Sequence, residues 1–375
     1  MTYEWNHSTI NDVCVLVTDG SHSSPKSVND GKYMVSVKDF TDYGFDFASC
    51  RMISNDDYET LKRNGCVPQI DDILIGKDGA RFFEDIIIYR QREKPALLSS
   101  IAILRCDKSK ILPDFLYYVL RTPSFRQDVK DNYGSGSAIP RIILKDFKRM
   151  MVSYPSLEKQ QAIISVLTAI DSKIQANTEI NDNLQQQAQA IYSSMFIDNP
   201  DPAWSHGHLS DLITVKYGKD HKKLADGIYP VYGSGGIMRY VERPLYNKES
   251  VLIPRKGTLN NVMYVNQPFW SVDTMFYTEM KLPNVAKFVY HFVKAKDLAS
   301  MNAGSAVPSM TTDILNAMEV VIPSASALEE FESLVAPMYE AMEANDVQSK
   351  ALSQMRDTLL PKLMSGEIDV SDIQL

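Results

Sequence analysis

The chain has 375 residues, 44% of them hydrophobic, and a formal net charge of −8, so it is long enough to build more than one core. It has no run of about 18 apolar residues and its N-terminus lacks the basic and apolar order of a secretory signal, so we expect neither a membrane span nor export. The four cysteines, Cys14, Cys50, Cys66 and Cys106, have no CxxC spacing, which predicts free thiols in a cytoplasmic protein.

The acidic excess is concentrated in two stretches, 156–196 and 324–375, and the remaining residues are close to neutral. A neutral domain can still carry a local basic face, because the charges nearest a ligand dominate its contacts. Net charge therefore leaves a nucleic-acid partner open.

The first 155 residues contain short predicted strands separated by glycine-containing loops. "DVCVLVTDGSHSSP" (12–25) predicts a strand and a polar loop, and "DDILIGKDGARFFEDIIIY" (71–89) predicts two strands around a turn at Gly79. "SSIAILRC" predicts a further strand and "FLYYVLRTPSF" a short amphipathic helix with its aromatic residues on one side. This part of the chain is therefore predicted to be a mixed α/β domain.

The stretch that follows occurs twice. "GSAIPRIILKDFKRMMVSYPS" begins at Gly136 and "GSAVPSMTTDILNAMEVVIPS" begins at Gly304, and the separation of 168 residues holds without insertion as far as Phe196 and Met364. An ungapped internal repeat of this length indicates two copies of one structural unit.

After each repeated segment the apolar residues recur in steps of four and three, which is typical of a coiled-coil seam. The first seam contains Ile163, Leu167, Ile170, Ile174, Asn177, Asn181, Leu184, Ala188, Ile191 and Met195. The second seam contains Phe331, Val335, Met338, Met342, Asn345, Ser349, Leu352, Arg356, Leu359 and Leu363. Helices of about 36–40 residues would be about 55–60 Å long, and Pro337 predicts that the second helix proper starts there.

A single helix of this kind is as typical of an ordinary core helix or homo-oligomer zipper as of a helix paired within its own chain. Two helices in the same repeat register favour each other as partners, and a two-fold repeat predicts that they run antiparallel. The polar seam positions Asn177 and Asn345 would then lie at mid-length and fix the register, at some cost in stability.

Between the two predicted helices the chain repeats the pattern of its first part, after a boundary marked by "PDP" (200–202). "DLITVKYGKDHKKL" (211–224) parallels the first strand and loop, and "ESVLIPRKGTLNNVMYV" (249–265) parallels the two-strand stretch, with Gly257 at the place of Gly79. "VDTMFYTEM" and "FVYHFVKAKDL" predict the matching strand and amphipathic helix.

No catalytic motif is convincing, since the sequence lacks a phosphate-binding P-loop, an HExxH pair and paired CxxC motifs. Asp273, Glu279 and Lys281 resemble a nuclease set, but a solvated strand end is the more ordinary interpretation. His206 and His208 would need a third metal ligand, which the sequence does not indicate.

The loops carry side chains suited to base edges and phosphates, because arginine and lysine pair with guanine, asparagine with adenine, and serine with either. Any one of them could instead be an ordinary exposed residue, but their paired placement in both halves favours the loops as a group. The candidate DNA contacts are His22, Ser24, Lys26, Lys77, Arg81, Tyr232, Ser234, Arg239, Arg255, Lys256, Thr258, Asn260 and Asn261.

Three stretches carry a resemblance to a known family. They are "PSLEKQQAIISVLTAIDSKIQANTEINDNLQQQAQAIYSSMF" after the first domain, "VLIPRKGT" with "PFWSVDT" (251–274), and "MRDTLLPKLMSGEIDV" (355–370). With them the whole chain resembles the specificity subunit of a type I restriction–modification enzyme. "GTLNNV" lacks the second glycine that often follows this motif in the family.

The resemblance implies an α+β fold with two mixed α/β target recognition domains separated by two long antiparallel coiled-coil helices in a pseudo-two-fold repeat. The implied divisions are 1–155 and 197–323 for the recognition domains, and 156–196 and 324–375 for the helices. It implies a cytoplasmic, non-catalytic subunit that reads a split, asymmetric site in double-stranded DNA. Its implied partners are two adenine-N6 methyltransferase subunits, which would bind S-adenosylmethionine, and motor–nuclease subunits; this chain itself would bind no cofactor.

Two alternatives stay open at this point. One is a stand-alone nuclease or modification enzyme that uses Asp273, Glu279 and Lys281. The other is a structural adaptor whose paired helices and globular parts bind only proteins.

Overall fold

The computed structural model describes residues 4–79, 81–134, 140–301 and 309–370. The chain divides into a first unit, residues 1–175 with 348–375, and a second unit, residues 176–347. The beginnings of the two repeated segments, 136–139 and 304–308, lie outside the described residues. The predicted domain divisions at 155, 196 and 323 stay a prediction.

The globular part of the first unit is built from short strands and helices. They are β1 (Asn6–Thr9), α1 (Ile10–Val13), β2 (Cys14–Asp19), β3 (Lys32–Val35), a 3₁₀ turn (Val37–Asp39), β4 (Phe40–Thr41), β5 (Gly44–Phe45), β6 (Arg51–Ile53), α2 (Asn55–Arg63), β7 (Ile73–Gly76), β8 (Ile86–Ile88), β9 (Ala96–Leu97), β10 (Ile101–Cys106), α3 (Pro113–Arg121), α4 (Pro123–Asn132), α5 (Leu144–Arg149) and β11 (Met151–Tyr154).

A long helix, α6 (Leu157–Ser193), follows and ends in a π-helical turn (Ser194–Asp198). The globular part of the second unit then contains β12 (Ser205–His208), α7 (Leu209–Leu212), β13 (Ile213–Tyr217), β14 (Asp226–Gly233), β15 (Gly236–Val241), β16 (Ser250–Pro254), β17 (Met263–Val265), β18 (Trp270–Ser271), β19 (Met275–Met280), α8 (Ala286–Lys294), α9 (Thr312–Asn316) and β20 (Glu319–Ile322). The last helix is α10 (Ala325–Ser365).

The two units share one sheet topology. The four-stranded sheet has the order β2-β10-β7-β8 in the first unit and β13-β19-β16-β17 in the second, and each is antiparallel throughout. Each unit also has a three-stranded sheet, with the order β6-β3-β9 in the first unit and β15-β14-β18 in the second. In both sheets the first pair of strands is antiparallel and the last pair is parallel. The chain therefore folds one supersecondary plan twice.

Local sequence explains why a short capped helix lies near the start of the globular part of each unit. Thr9 accepts a hydrogen bond from the Asp12 backbone and Asp12 bonds back to Thr9, which caps the four-residue helix α1. His208 and Asp211 form the matching capping box before α7. Each cap satisfies backbone donors that a short helix leaves unpaired, so the chain turns from one strand to the next at the same place in both units.

The central strands separate two cores in each unit because their side chains alternate between the faces of the sheet. In β7, Ile73 and Ile75 join the core that includes α3, whereas Leu74 faces the core with Phe45. In β16, Val251 and Ile253 face one core and Leu252 faces another. Burial on both faces explains why these strands are rich in isoleucine, leucine and valine.

The boundary between the units falls inside both long helices. In the second unit Asn177 contacts Asn345 and Asn181 contacts Met342, so the two helices run in opposite directions there. In the first unit Arg356 of α10 pairs with Asp171 of α6. Two mixed α/β domains with two long antiparallel helices and an internal repeat are the fold class predicted from the sequence, which is confirmed.

The prediction that the second helix starts at Pro337 is wrong, because α10 already begins at Ala325. Ser324 Oγ accepts a hydrogen bond from the Ala327 N–H at 3.3 Å and supports this earlier start. An interior proline destabilises a helix by about 3 kcal/mol, but Phe331 and Val335 in the preceding turns are fully buried. Their burial offsets the loss at Pro337.

All four cysteines are free, as predicted. Within the described ranges, no helix combines the length and apolar character needed to cross a membrane.

Candidate nucleic-acid interface

The loops that carry the predicted DNA contacts turn at equivalent glycines. Gly79 follows β7 with φ +96°, and Gly257 follows β16 with φ +86°. Residues with a Cβ atom are strained at such φ values, so glycine suits both turns. A Cβ at Gly257 would also lie 2.6 Å from Ser234 Oγ, whereas among the described residues no atom lies within 4 Å of a Cβ at Gly79.

The residue two positions before each glycine has the same backbone bonds. The Lys77 carbonyl accepts a hydrogen bond from the Ile142 N–H at 3.0 Å, and the Arg255 carbonyl accepts one from the Met310 N–H at 2.9 Å. Lys77 and Arg255 therefore occupy equivalent places in the two units, even though their side chains differ.

Lys77 is buried, with only 7% of its surface exposed, which corrects the expectation of an accessible loop lysine. Its Nζ lies 3.3 Å from Asp19 Oδ2 and 3.8 Å from Asp78 Oδ1. The sheet end encloses the side chain, and Asp19 balances its charge. His22 lies exposed beside it, with Nε2 3.3 Å from the other carboxylate oxygen of Asp19.

The other candidates of the first unit lie on the surface. Ser24 Oγ accepts a hydrogen bond from Arg51 at 2.9 Å. Lys26 is exposed, and the ion pairs among the described residues do not include it. Arg81 is exposed and pairs with Asp85 at 2.6 Å, which raises the pKa of the arginine. Lys26 and Arg81 are thus the accessible cations of this loop set.

In the second unit the guanidinium of Arg255 lies over the ring of Tyr217, with 5.4 Å between Cζ and the ring centroid. Arg255 is half-buried and donates one hydrogen bond to the Asp273 carbonyl at 3.3 Å. Lys256 and Thr258 follow in the turn and are exposed.

Asn260 and Asn261 hold the turn in place. Asn260 donates to Asp297 Oδ1 at 3.0 Å and accepts from the Ala299 N–H at 3.0 Å, and its bond to Asp297 lowers the pKa of that carboxyl. Asn261 donates to the Ser234 carbonyl at 2.8 Å and connects the turn with the β14–β15 hairpin. Both amides therefore have partners inside the unit.

The three candidates of the β14–β15 hairpin differ in exposure. Tyr232 is buried and its hydroxyl accepts a hydrogen bond from Gln267 at 3.3 Å. Arg239 is half-buried and donates to Asp226 at 2.7 Å and to the Leu224 carbonyl at 3.0 Å. Ser234 is half-exposed beside Gly257. The hairpin turn and the Gly257 turn thus form one surface.

Several residues near these loops have no signal in the sequence that marks them as part of the site. Asp19 and Tyr217 face the two equivalent cations, and the hairpin exposes Ile228, Ile237 and Met238. In "GIMRYV" the apolar residues Ile237 and Met238 are adjacent and both exposed, and no local signal in the sequence indicates that they are left uncovered. Contacts of Asp19 and Tyr217 depend on strands far apart in the sequence.

The nuclease-like residues do not form a shared site. Asp273 precedes β19 and Glu279 lies near its far end, and the strand from Met275 to Glu279 alone spans about 13 Å. Glu279 pairs with Lys216 at 3.6 Å, and Lys281 donates to the Ser210 carbonyl at 2.6 Å. His206 and His208 are exposed on β12. Among the described residues no group of three or more potential ligands could hold a metal ion.

The predicted seam residues all lie on the buried or half-buried side of the long helices. They are Ile163, Leu167, Ile170, Ile174, Asn177, Leu184, Ile191, Met338, Met342, Asn345, Leu352 and Leu359.

The polar seam positions bond to each other in the second unit. Asn345 donates to Asn181 Oδ1 at 2.8 Å, and Asn181 donates to Asp346 at 2.8 Å. Burial raises the pKa of Asp346. These directional bonds fit only one alignment of the helices, which is how a polar layer fixes register.

Each globular part is attached to the helices by a polar contact from the equivalent short helix. In the first unit Tyr118 of α3 donates to Asp171 at 2.7 Å, and Arg356 pairs with the same carboxylate at 2.9 Å. In the second unit His291 of α8 bonds to Gln189 at 2.9 Å and to the Tyr339 hydroxyl at 3.0 Å. Burial lowers the pKa of His291 to about 4, so the ring is neutral at pH 7.

The geometry defines a class of protein: a chain with two domains of one topology, each presenting a loop cluster at a sheet end and each attached to the long helices. Residues 3–186 and 203–331 match the family model described as the type I restriction modification DNA specificity domain. Because the match covers well over half of the chain, the chain belongs to this family of DNA specificity subunits.

Curated relatives agree with the assignment. The MjaIX type I restriction enzyme specificity subunit of Methanocaldococcus jannaschii is 25% identical over 310 residues, which cover 71% of each chain. The HindI type I restriction enzyme specificity subunit of Haemophilus influenzae is 21% identical over 381 residues, which cover 71% of this chain and 80% of that protein.

The crystal structure of a type I restriction–modification S subunit from M. genitalium has the same fold, with a TM-score of 0.57 and 18% identity over 96% of both chains. The family resemblance inferred from the sequence is confirmed.

Proposed function

We propose that this chain reads a bipartite, asymmetric site in double-stranded DNA, with the loops of each unit contacting one half. We further propose that it recruits two adenine-N6 methyltransferase subunits, and motor–nuclease subunits for restriction. The observation that carries the proposal is one backbone frame built twice with different side chains. The same turn holds Lys77 in one unit and Arg255 in the other.

The duplicated backbone frame supports a DNA site with two halves. The different side chains on the two frames support halves that differ in sequence. Base identity is read by side chains at base edges, whereas backbone contacts only position a protein on the duplex. Two loops with equal backbones but unequal side chains therefore suit two different short sequences.

The long helices supply surfaces for partner subunits. Ile180, Leu334 and Val347 of the second unit and Met355 of the first are large apolar residues exposed on α6 and α10. Exposed apolar side chains on a helix suit the packing of further helices. Docking of methyltransferase subunits there would cover them.

The chain is proposed to be non-catalytic and to bind no cofactor itself. The distance between Asp273 and Glu279 and their separate partners support this part of the proposal. Adenine methylation requires the base to leave the stack, and the methyltransferase partners would supply that step together with S-adenosylmethionine. A chain that works on DNA with these partners would be located in the cytoplasm.

The test is to map methylated adenines in cells that carry this chain with its methyltransferase. A second strain carries a version in which residues 1–155 come from a relative. We expect a split recognition sequence, and exchange of residues 1–155 should change only one half of it. The Glu279→Gln variant serves as a control and should methylate the same sites as the wild type. A continuous site, or a pattern unaffected by the exchange, would contradict the proposal.

A further inference from the structure

We infer that Arg255, oriented by Tyr217, reads a guanine in the half-site of the second unit, whereas its counterpart Lys77 is neutralised by Asp19 and reads no base. This inference rests on the proposed function, because it assumes that each unit contacts its own half-site. It assigns a specificity-determining pair and the base that this pair selects.

The two pairs occupy the same place in their units. Gly20 donates its N–H to the first residue of β10 at 3.1 Å, and Gly218 donates its N–H to the first residue of β19 at 3.0 Å. A Cβ on either glycine would come within 2.6 Å of two carbonyl oxygens of the neighbouring strand segment. The residues just before these glycines, Asp19 and Tyr217, are therefore structural equivalents.

The equivalence of Lys77 and Arg255 is independent of these glycines. Their carbonyls accept the same bond from repeat-related residues, and the Lys77 N–H donates to the Ser100 carbonyl at 2.9 Å as the Arg255 N–H donates to the Thr274 carbonyl at 2.8 Å. Both precede a positive-φ glycine by two positions. One structural position thus holds an ion pair in the first unit and a cation–π pair in the second.

The change of partner changes what the cation can do. Asp19 and Lys77 each expose 8% of their side chains, and the ammonium lies 3.3 Å from the carboxylate. A buried and balanced lysine has neither the exposure nor the free charge for a base contact. Tyr217 is 52% exposed and carries no charge, so it orients Arg255 without neutralising it.

An arginine held in this way suits guanine. Its guanidinium carries five N–H donors in a planar fork, of which the Asp273 carbonyl takes one. The fork matches the O6 and N7 acceptors of guanine in the major groove, and stacking on an aromatic ring fixes its plane before DNA arrives. The neighbouring Lys256 is exposed and better suited to a phosphate, which needs a charge but not a plane.

The experiment uses the complex of the full chain with its methyltransferase subunits. Methylation rates are measured on duplexes in which every position of both half-sites carries each of the four base pairs in turn. The variants are Arg255→Ala, Tyr217→Asp and Lys256→Ala. Tyr217→Asp introduces into the second unit the carboxylate that the first unit has.

Arg255→Ala should lower the preference for guanine at one position of the second half-site by about 5- to 150-fold, the range for loss of a bidentate base contact. Tyr217→Asp should lower the preference at the same position, because the new carboxylate pairs with Arg255. Lys256→Ala should slow methylation of all duplexes equally. None of the three should alter preferences in the first half-site, and thermal unfolding checks that each variant is folded.

The inference is overturned if Arg255→Ala slows all duplexes equally, since that result marks a phosphate contact, or if no position loses its guanine preference. It is also overturned if Tyr217→Asp folds normally and keeps the preference. These outcomes differ from failure of the proposed function, in which the wild-type complex itself would have no split site.

Discussion

The buried histidine of the second unit gives a quantitative prediction for stability against pH. His291 is fully buried, and its two ring nitrogens bond to Gln189 and to the Tyr339 hydroxyl. Aromatic rings of Tyr192, Tyr290 and Phe331 lie around it. Protonation would place a charge in this enclosure, so folding should weaken as the pH falls.

The magnitude follows from the pKa. Burial lowers the pKa of His291 from 6.5 to about 4. The unfolded chain therefore binds a proton that the folded chain does not, and the stabilisation present above pH 6.5 is lost progressively down to about pH 4. The slope reaches about 1.4 kcal/mol per pH unit below pH 6.5, so a change from pH 7 to pH 5 should lower the free energy of unfolding by about 2 kcal/mol.

Urea unfolding of the wild type and of His291→Gln at pH 7 and pH 5 measures this difference. Glutamine keeps hydrogen-bonding groups but does not titrate, so its unfolding free energy should change less between the two pH values. His206→Gln is the matched control, because His206 is exposed and its replacement should leave the wild-type pH dependence unchanged. Equal pH dependence in the wild type and His291→Gln would refute the reasoning.

Five further substitutions, in three sets, test the packing by chemical denaturation. Gly79→Ala should lower the free energy of unfolding by about 1–2 kcal/mol, because its φ is left-handed. Gly257→Ala should lower it more, because the new Cβ also approaches Ser234 Oγ. Equal losses in the two variants would contradict this contact. Leu167→Ala should cost about 2–5 kcal/mol as a fully buried seam residue, whereas the exposed Ile180→Ala should stay within about 0.5 kcal/mol. Lys287→Met should cost about 2–3 kcal/mol, since it leaves two partly exposed glutamates without their shared cation, and an unchanged midpoint would show that the pair contributes nothing.

The repeat and the strand plan could be predicted because their signals are local or periodic. Turns at Gly79 and Gly257 require glycine, and the seam follows a heptad period. These signals do not depend on which segments from elsewhere in the sequence pack against them, so a single sequence is enough to detect them.

The burial and the bonding partners of the candidate DNA contacts could not be predicted in the same way. The burial of Lys77 depends on Asp19, which is distant in sequence and reaches it only through the sheet. Asn260 resembled a base reader but bonds to Asp297 in a later loop. Pro337 was misjudged for a related reason, because the burial that compensates an interior proline is a tertiary property.

Backbone bonds hold the turns at Lys77 and Arg255, and in the second unit the side chains of Asn260 and Asn261 add to them. Substitutions at the exposed positions Lys256 and Thr258 can therefore alter chemistry while the turn keeps its shape. The bonds that fix the turn are separate from the side chains that face solvent at these two positions. Under the proposed function, a side chain that reaches a base edge from either position would change which bases the loop prefers while the fold stays stable.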